Sequence, residues 1–337
     1  MPDGVPVLEA RPPWAPTIIR TCLGVQPGER VLIAVDEPLA FVRDALLAEA
    51  RALQPAELWS VTIPAATRPF RSLPEHFMAR AMEADVVLLL LAALDPVHEL
   101  PAHLAGRARI GEGPARYAVG AYITEDILVD ELSADYEEIS AQTLALAARL
   151  AGVSSVQLTS PLGTDLRLST AGRAWYTDTG LLRGPGSYGN LPAGEVYIAP
   201  VEESAEGVVV IDQSLPGLVL PAPVRLSFEQ GRVVRIEGEP GKTYLEEAIR
   251  DAEGKPNGKW ARSLAEFGIG TNPVARLQGN ILTDEKAAGT VHVAIGRNDL
   301  FGGQSPAPLH VDGVVGTPTM WADGELVIES GIPVMRT

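Results

Sequence analysis

The 337-residue chain carries 27 basic against 43 acidic side chains, a net charge of −16, and is 46% hydrophobic and 21% charged. That balance is that of a globular protein long enough for two domains with buried cores, and it excludes a disordered chain. The acidic excess argues against nucleic acid as a partner, because binding phosphates needs a basic surface.

In chain order, the N-terminus MPDGVPVLEARPPW lacks the basic and apolar regions of a signal peptide. Cys22 is the only cysteine, which excludes an intramolecular disulfide and a thiolate zinc site; it reads as a buried, inert thiol. After the turn signal Gln26-Pro27-Gly28, RVLIAVD (30–36) reads as an apolar strand and FVRDALLAEARAL (41–53) as an amphipathic helix. AELWSVTI (56–63) is a second strand, and PEHFMARAMEA (74–84) a second helix with Pro74 suited to its first turn. VVLLLLA, from residue 86, is a third strand; the apolar run at 86–94 is too short to span a membrane. RYAVGAYI (116–123) is a fourth strand, and YEEISAQTLALAARLAG (136–152) a long helix stopped by Gly152. Strands alternating with helices, and apolar throughout, predict an open Rossmann-like α/β domain over residues 1–152, with a parallel sheet covered on both faces. AVDEPLA stands where a GxGxxG would follow the first strand, so a dinucleotide site of the usual kind is not expected. The expected location is cytoplasmic, with no membrane partner.

From residue 153 to 337 the texture changes to a β-rich domain. SSVQLTSPLGTDLRLSTAGR has the form of a hairpin turning at Pro161-Leu162-Gly163-Thr164. GEVYIAPV, EGVVVID, PVRLSFEQGRVVRIEGE, TVHVAIG, APLHVDGVV and GELVIES follow as short strands, interrupted by one helix at about 244–253.

This second domain contains the candidate chemistry. His310 and Asp312 lie two apart on an extended segment, so the strand period points both to one face. His292 sits between Val291 and Val293, which alternation sends to the opposite, buried face, and Glu195 and Glu266 add carboxylates from two further elements. Five nitrogen and oxygen ligands, three of them carboxylates, exceed the needs of one tetrahedral zinc. They suit either two divalent ions sharing a bridging carboxylate or one ion of higher coordination. Taken singly, an HxD pair or a strand-edge Glu is more often a solvated or hydrogen-bonded group, and Asp284-Glu285-Lys286 is by default a charged turn. His76, His98 and His103 are assigned no function.

The order NLPAGEVYIAP, AEFGIGTNP, DEKAAGTVHVAIG, LHVDG, with GVQPGERVLIAVDE near the start, resembles the thermophilic metalloprotease (aminopeptidase T) family over most of the chain. The resemblance implies a dimeric metallo-exopeptidase with an α/β N-terminal and a β-rich C-terminal domain. On the matching motif positions, Glu195, Glu266, His292, His310 and Asp312 would be ligands to one or two zinc, cobalt or manganese ions. Glu285 would be the general base, and short peptides the substrates, losing their N-terminal residues to a metal-activated water. The family's tyrosine ligand, shortly after the first His, has no counterpart, since no tyrosine follows Tyr244; IGRNDLFGG stands there, so that either Asp299 substitutes or a ligand is missing. Dihydroxypyridine dioxygenases resemble the same architecture but open an aromatic ring with one ferrous ion, which gives the alternative. A non-catalytic homologue keeping a structural metal is the third reading.

Overall fold

A computed structural model of the chain describes residues 12–69, 72–95, 99, 103, 106 and 109–334. His98 lies outside these residues, and His76 is exposed on a helix surface.

The first part follows its sequence pattern closely. Strands β1 (Arg30–Asp36), β2 (Glu57–Ile63), β3 (Val86–Leu90) and β4 (Arg116–Gly120) alternate with helices α1 (Ala40–Arg51) and α2 (Glu75–Glu83). Helices α3 (Glu125–Val129) and α4 (Tyr136–Leu150) follow β4. All pairings in the sheet are parallel, in the order β2-β1-β3-β4. The apolar runs are explained by burial on both faces. Val31, Ile33 and Val35 with Val86, Leu88 and Leu90 enter one core cluster, while Leu32, Ala34, Val87 and Leu89 enter another. Asp135 caps α4 by accepting from the amides of Glu137 and Glu138, at 3.0 and 3.2 Å. Gly152 beyond its end has φ +79°, a left-handed stop. Cys22 is buried, and desolvation pushes its thiol pKa up.

The remaining strands are β5 (Ser155–Thr159), β6 (Asp165–Ser169), β7 (Tyr176–Asp178), β8 (Tyr188–Asn190), β9 (Glu195–Ile198), β10 (Glu206–Ile211), β11 (Ser214–Leu215) and β12 (Leu218–Val219). They continue with β13 (Val224–Glu229), β14 (Arg232–Glu237), helix α5 (Gly241–Glu253), β15 (Leu264–Gly270), helix α6 (Ile281–Asp284) and β16 (Val291–Gly296). β17 (His310–Val315), β18 (Thr319–Ala322), β19 (Glu325–Glu329) and β20 (Ile332–Pro333) close the chain. The expected hairpin is β5–β6. An eight-stranded sheet runs β14-β13-β10-β6-β5-β18-β19-β20, and a five-stranded antiparallel sheet runs β17-β16-β15-β9-β7.

These two sheets enclose a common core. Leu158, Leu166, Val209 and Leu226 of the larger sheet pack with Val196, Phe267, Ile269, Val293 and Val311 of the smaller one. One strand departs from the expected division at residue 152. β8 pairs in parallel with β4, Ala118 against Gly189, and so extends the first sheet. At three residues it is too short to carry a period that a sequence reading could recognise. Among the described residues, no helix is long and apolar enough to cross a membrane.

Candidate metal centre

The five-stranded sheet gives one face to the core, and the strand period gives the other to the candidate ligands. Val196 and Ile198 of β9, Phe267 and Ile269 of β15, and Val291, Val293 and Ile295 of β16 point into the core. Glu195, Glu266, His292, His310 and Asp312, at alternating positions, line one compartment of about 180 Å³ on the opposite side. Across the ladder most of these side chains meet small residues. Glu266 and Asp312 both oppose Ala294, His292 opposes Gly268, His310 opposes Gly296 and Glu195 opposes Gly270. The small neighbours leave room for side chains to converge.

Gly268 shows how little room is spare. A Cβ built there would lie 2.0 Å from Nε2 of His292. Gly268→Ala is therefore expected to push the buried imidazole aside and lower metal affinity about 10- to 100-fold, as losses of ligand-orienting contacts do. Titration with a chromophoric metal competitor checks this; unchanged affinity would show that the ring is not held where a metal needs it.

The candidate ligands fall into two overlapping groups. Glu195, Glu266 and His292 can bring one donor atom each within 4.8 Å of one another, as can Glu266, His310 and Asp312. Glu266 belongs to both, and its oxygens divide between them. Oε1 is 3.3 Å from Nε2 of His292, and Oε2 is 3.4 Å from Nε2 of His310. Nε2 of His292 is also 3.3 Å from Glu195 Oε2, and Nε2 of His310 is 3.3 Å from Asp312 Oδ2. Nδ1 of His310 donates to the Arg297 carbonyl at 2.7 Å, which aims Nε2 at the carboxylates. Each group thus contains one imidazole and two carboxylates, a donor set that fits a divalent cation.

Electrostatics point the same way. Burial alone would raise the Glu266 pKa, but hydrogen bonds from His292 and His310 outweigh it and hold the carboxyl at about 2. Burial would lower the imidazole pKa values, yet Glu266 and Glu195 lift His292 to about 9, and Asp312 with Glu266 holds His310 well above its ordinary value. Without a metal, the protonated imidazoles offset the charge of Glu266; a bound cation would take over that role.

The Asp284-Glu285-Lys286 element is not the solvated turn that its charges suggest. Asp284 ends α6 fully buried, its oxygens accepting from the amides of Gln278 and Gly279 at 2.8 and 3.0 Å. Glu285 lines the compartment, and Lys286 is buried, its Nζ 2.7 Å from Glu195 and 2.8 Å from Glu285. Burial raises Glu285 to about 7, against the opposing charge of Lys286. Burial works against the Lys286 charge, but Glu195, Glu285 and Asp178 keep its pKa well above the ordinary value.

Sequence reasoning missed Lys286 and Asp178. Asp178 pairs in register with Glu195 and accepts from the Asn190 amide at 2.8 Å, but no motif surrounds it. Lys286 lies in the DEKAAGTVHVAIG motif, yet a charge triplet gives no sign of burial. Asp299 is not brought to the ligands: it pairs with Arg297, at 2.7 and 3.1 Å, and belongs to neither group. His103 belongs to neither group; it is buried close to the Tyr117 ring and lines a neighbouring compartment that also touches His310 and Asp312. An aromatic wall borders the compartment, with the Phe301 ring 5.5 Å from Tyr197 and 6.2 Å from His310.

The family model "NicX: 2,5-dihydroxypyridine 5,6-dioxygenase" matches residues 19–335. Aminopeptidase T of Thermus thermophilus is 32% identical over 199 residues, which is 52% of this chain and 46% of that protein. The 2,5-dihydroxypyridine 5,6-dioxygenase of Pseudomonas putida is 25% identical over 208 residues, 57% of this chain and 56% of that one. The chain thus spans about half the length of the relatives it matches in sequence. The solved structure of the P. putida dioxygenase superposes with a TM-score of 0.78 at 19% identity, covering 98% of this chain and 99% of that one. AmpT from T. thermophilus superposes at 0.71 and 20%, covering 96% and 98%. At those identities the superpositions establish the α/β fold. The named relatives are enzymes of two different kinds.

Proposed function

The chain belongs to the NicX family, that of 2,5-dihydroxypyridine 5,6-dioxygenase, and within it we propose a two-metal hydrolase that releases N-terminal residues from short peptides. The observation that carries this reading is the division of Glu266, one oxygen beside His292 and the other beside His310. Glu195, Glu266 and His292 would hold one ion, and Glu266, His310 and Asp312 the other. Two such ions polarise a carbonyl and lower the pKa of water, so that hydrolysis proceeds near neutral pH.

The chain's own groups supply the rest. Glu285 lines the compartment, and a carboxyl held at about 7 can accept and return a proton near neutrality. Lys286, held between Glu195 and Glu285, fixes the orientation of both. Tyr197 and Phe301 give the compartment an aromatic wall.

The test is metal analysis with activity. Purified protein is expected to bind two equivalents of zinc, cobalt or manganese per chain. It should cleave aminoacyl p-nitroanilides or dipeptides, lose that activity to a chelator and regain it with the metal. The family match supports a second reading, a ring-opening dioxygenase with one ferrous ion. One iron per chain, with oxygen uptake on a dihydroxypyridine and no peptide cleavage, would establish that reading and sink the first.

A further inference from the structure

A second compartment of about 170 Å³ adjoins the ligand cluster and shares Glu285, His310 and Asp312 with it. His103, Tyr188 and Asn190 also line it, and the rest of its wall is built by largely apolar side chains from both parts of the fold. Val119, at the end of β4, and Ala121 and Tyr122 just beyond come from the parallel sheet, and Leu94 from the segment after β3. Ile281 and Leu282 of α6 supply the other side, so the short helix that leads into Glu285 also lines this space. The carboxyl ends of parallel strands are where open α/β sheets take ligands.

The wall is held in place at a backbone cost. Tyr122 has φ +60°, a left-handed conformation uncommon for a bulky residue, worth on the order of 1–3 kcal/mol of strain. It is fixed at both ends. Asn280 Nδ2 donates to the Tyr122 carbonyl at 3.0 Å, and the Tyr122 hydroxyl donates to the Leu94 carbonyl. With its hydroxyl engaged there, Tyr122 adds a ring to the wall. Asn280 also caps α6, its Oδ1 accepting from the Leu282 amide at 3.1 Å. One side chain thus ties the two walls together across the compartment.

We infer that this compartment is the subsite for an apolar side chain on the substrate residue whose carbonyl lies at the ligand cluster, and that the Rossmann-like domain contributes specificity where the β-rich domain contributes metal ligands. This inference rests on the hydrolase reading. An apolar cavity of about 150 Å³ holds a benzene ring, so about 170 Å³ takes a leucyl or phenyl group. A carboxylate side chain would meet Glu285 and Asp312 at the shared edge.

The test uses glycine, L-leucine, L-phenylalanine and L-aspartate hydroxamates, titrated calorimetrically into metal-loaded protein, beside cleavage of the matching aminoacyl p-nitroanilides. Leucine and phenylalanine hydroxamates are expected to bind about 10- to 100-fold more tightly than glycine hydroxamate, with the aspartate compound weakest. Ala121→Phe, which fills the space, should bring the leucine-to-glycine ratio to within about twofold, and Ala121→Leu should reduce it partway. Equal binding of the leucine and glycine compounds by the unaltered protein, or no binding of the leucine compound, would overturn the inference, as would a ratio that survives both substitutions. A binding preference without cleavage of any substrate supports the subsite while defeating the hydrolase reading. Cleavage without side-chain preference does the reverse.

Discussion

Glu266→Gln is expected to abolish catalysis and to reduce bound metal from two equivalents to one or none, since the substitution removes the carboxylate common to both ligand groups. The side chain keeps its shape, so the loss isolates charge and ligation from packing. Loss of the several kcal/mol that metal ions supply to the transition state corresponds to a fall in kcat/KM of at least about 10³-fold. Metal analysis and single-substrate kinetics measure both effects. Retention of two ions with activity reduced less than tenfold would show that Glu266 is not shared between two ions.

The same substitution changes the pH dependence of the metal-free protein. His292 is lifted to about 9 when folded, so its protonated pairs stabilise the fold fully below an unfolded value of 6.5. That contribution is lost as pH rises through about 9. Glu266, held at about 2, stabilises the fold above its unfolded value of 4.5, and this is lost as pH falls through about 2. Metal-free protein is therefore expected to be most stable near pH 5–6 as far as this cluster is concerned, falling by on the order of 2 kcal/mol toward pH 9–10. Glu266→Gln should flatten that fall, because His292 loses its hydrogen-bonded carboxylate. Urea unfolding in the presence of a chelator, across that range, gives the slope.

The sequence made different parts of the molecule legible for different reasons. β1 and β3 were readable because apolar residues buried on both faces leave an unbroken run, and α4 because its spacing, Asp135 and Gly152 agree on one helix. The convergence of the candidate ligands was readable because β17 places His310 and Asp312 two apart and because motif order joined them to Glu195, Glu266 and His292. Groups that act through distant neighbours were not. β8 joins the first sheet only through Gly189 and its neighbours, and Asp178 approaches Glu195 through a ladder pairing. Burial of Lys286 follows from the segment after α6 bridging to the segment after β15, where Asn272 pairs with Ala287 and its amide donates to the Lys286 carbonyl at 2.8 Å. No local property of the letters DEK encodes that bridge.

Lys286 carries the second large expectation, because a buried ammonium between two carboxylates cannot be removed without exposing their charge to each other. In Lys286→Met, Glu195 and Glu285 lose partners at 2.7 and 2.8 Å in a site where the lysine side chain is 1% exposed. Breaking a buried pair by deleting one partner costs roughly 3–5 kcal/mol. The loss is expected to depend on pH in a definite direction. Glu285 already sits at about 7 when folded, against an ordinary value of 4.5, so the folded state binds its proton more tightly. Stability consequently falls as pH rises through that interval, and removal of the opposing Lys286 charge raises the folded value further and deepens the fall. The variant should be weakest at pH 8–9 and approach the parent protein toward pH 5. Divalent metal should also narrow the gap, since an ion held by Glu195 returns positive charge to the pocket. Unfolding curves at pH 5 and pH 8, each with chelator and with zinc or manganese, separate these effects. A deficit of equal size under all four conditions would mean that Lys286 contributes through packing and not through charge.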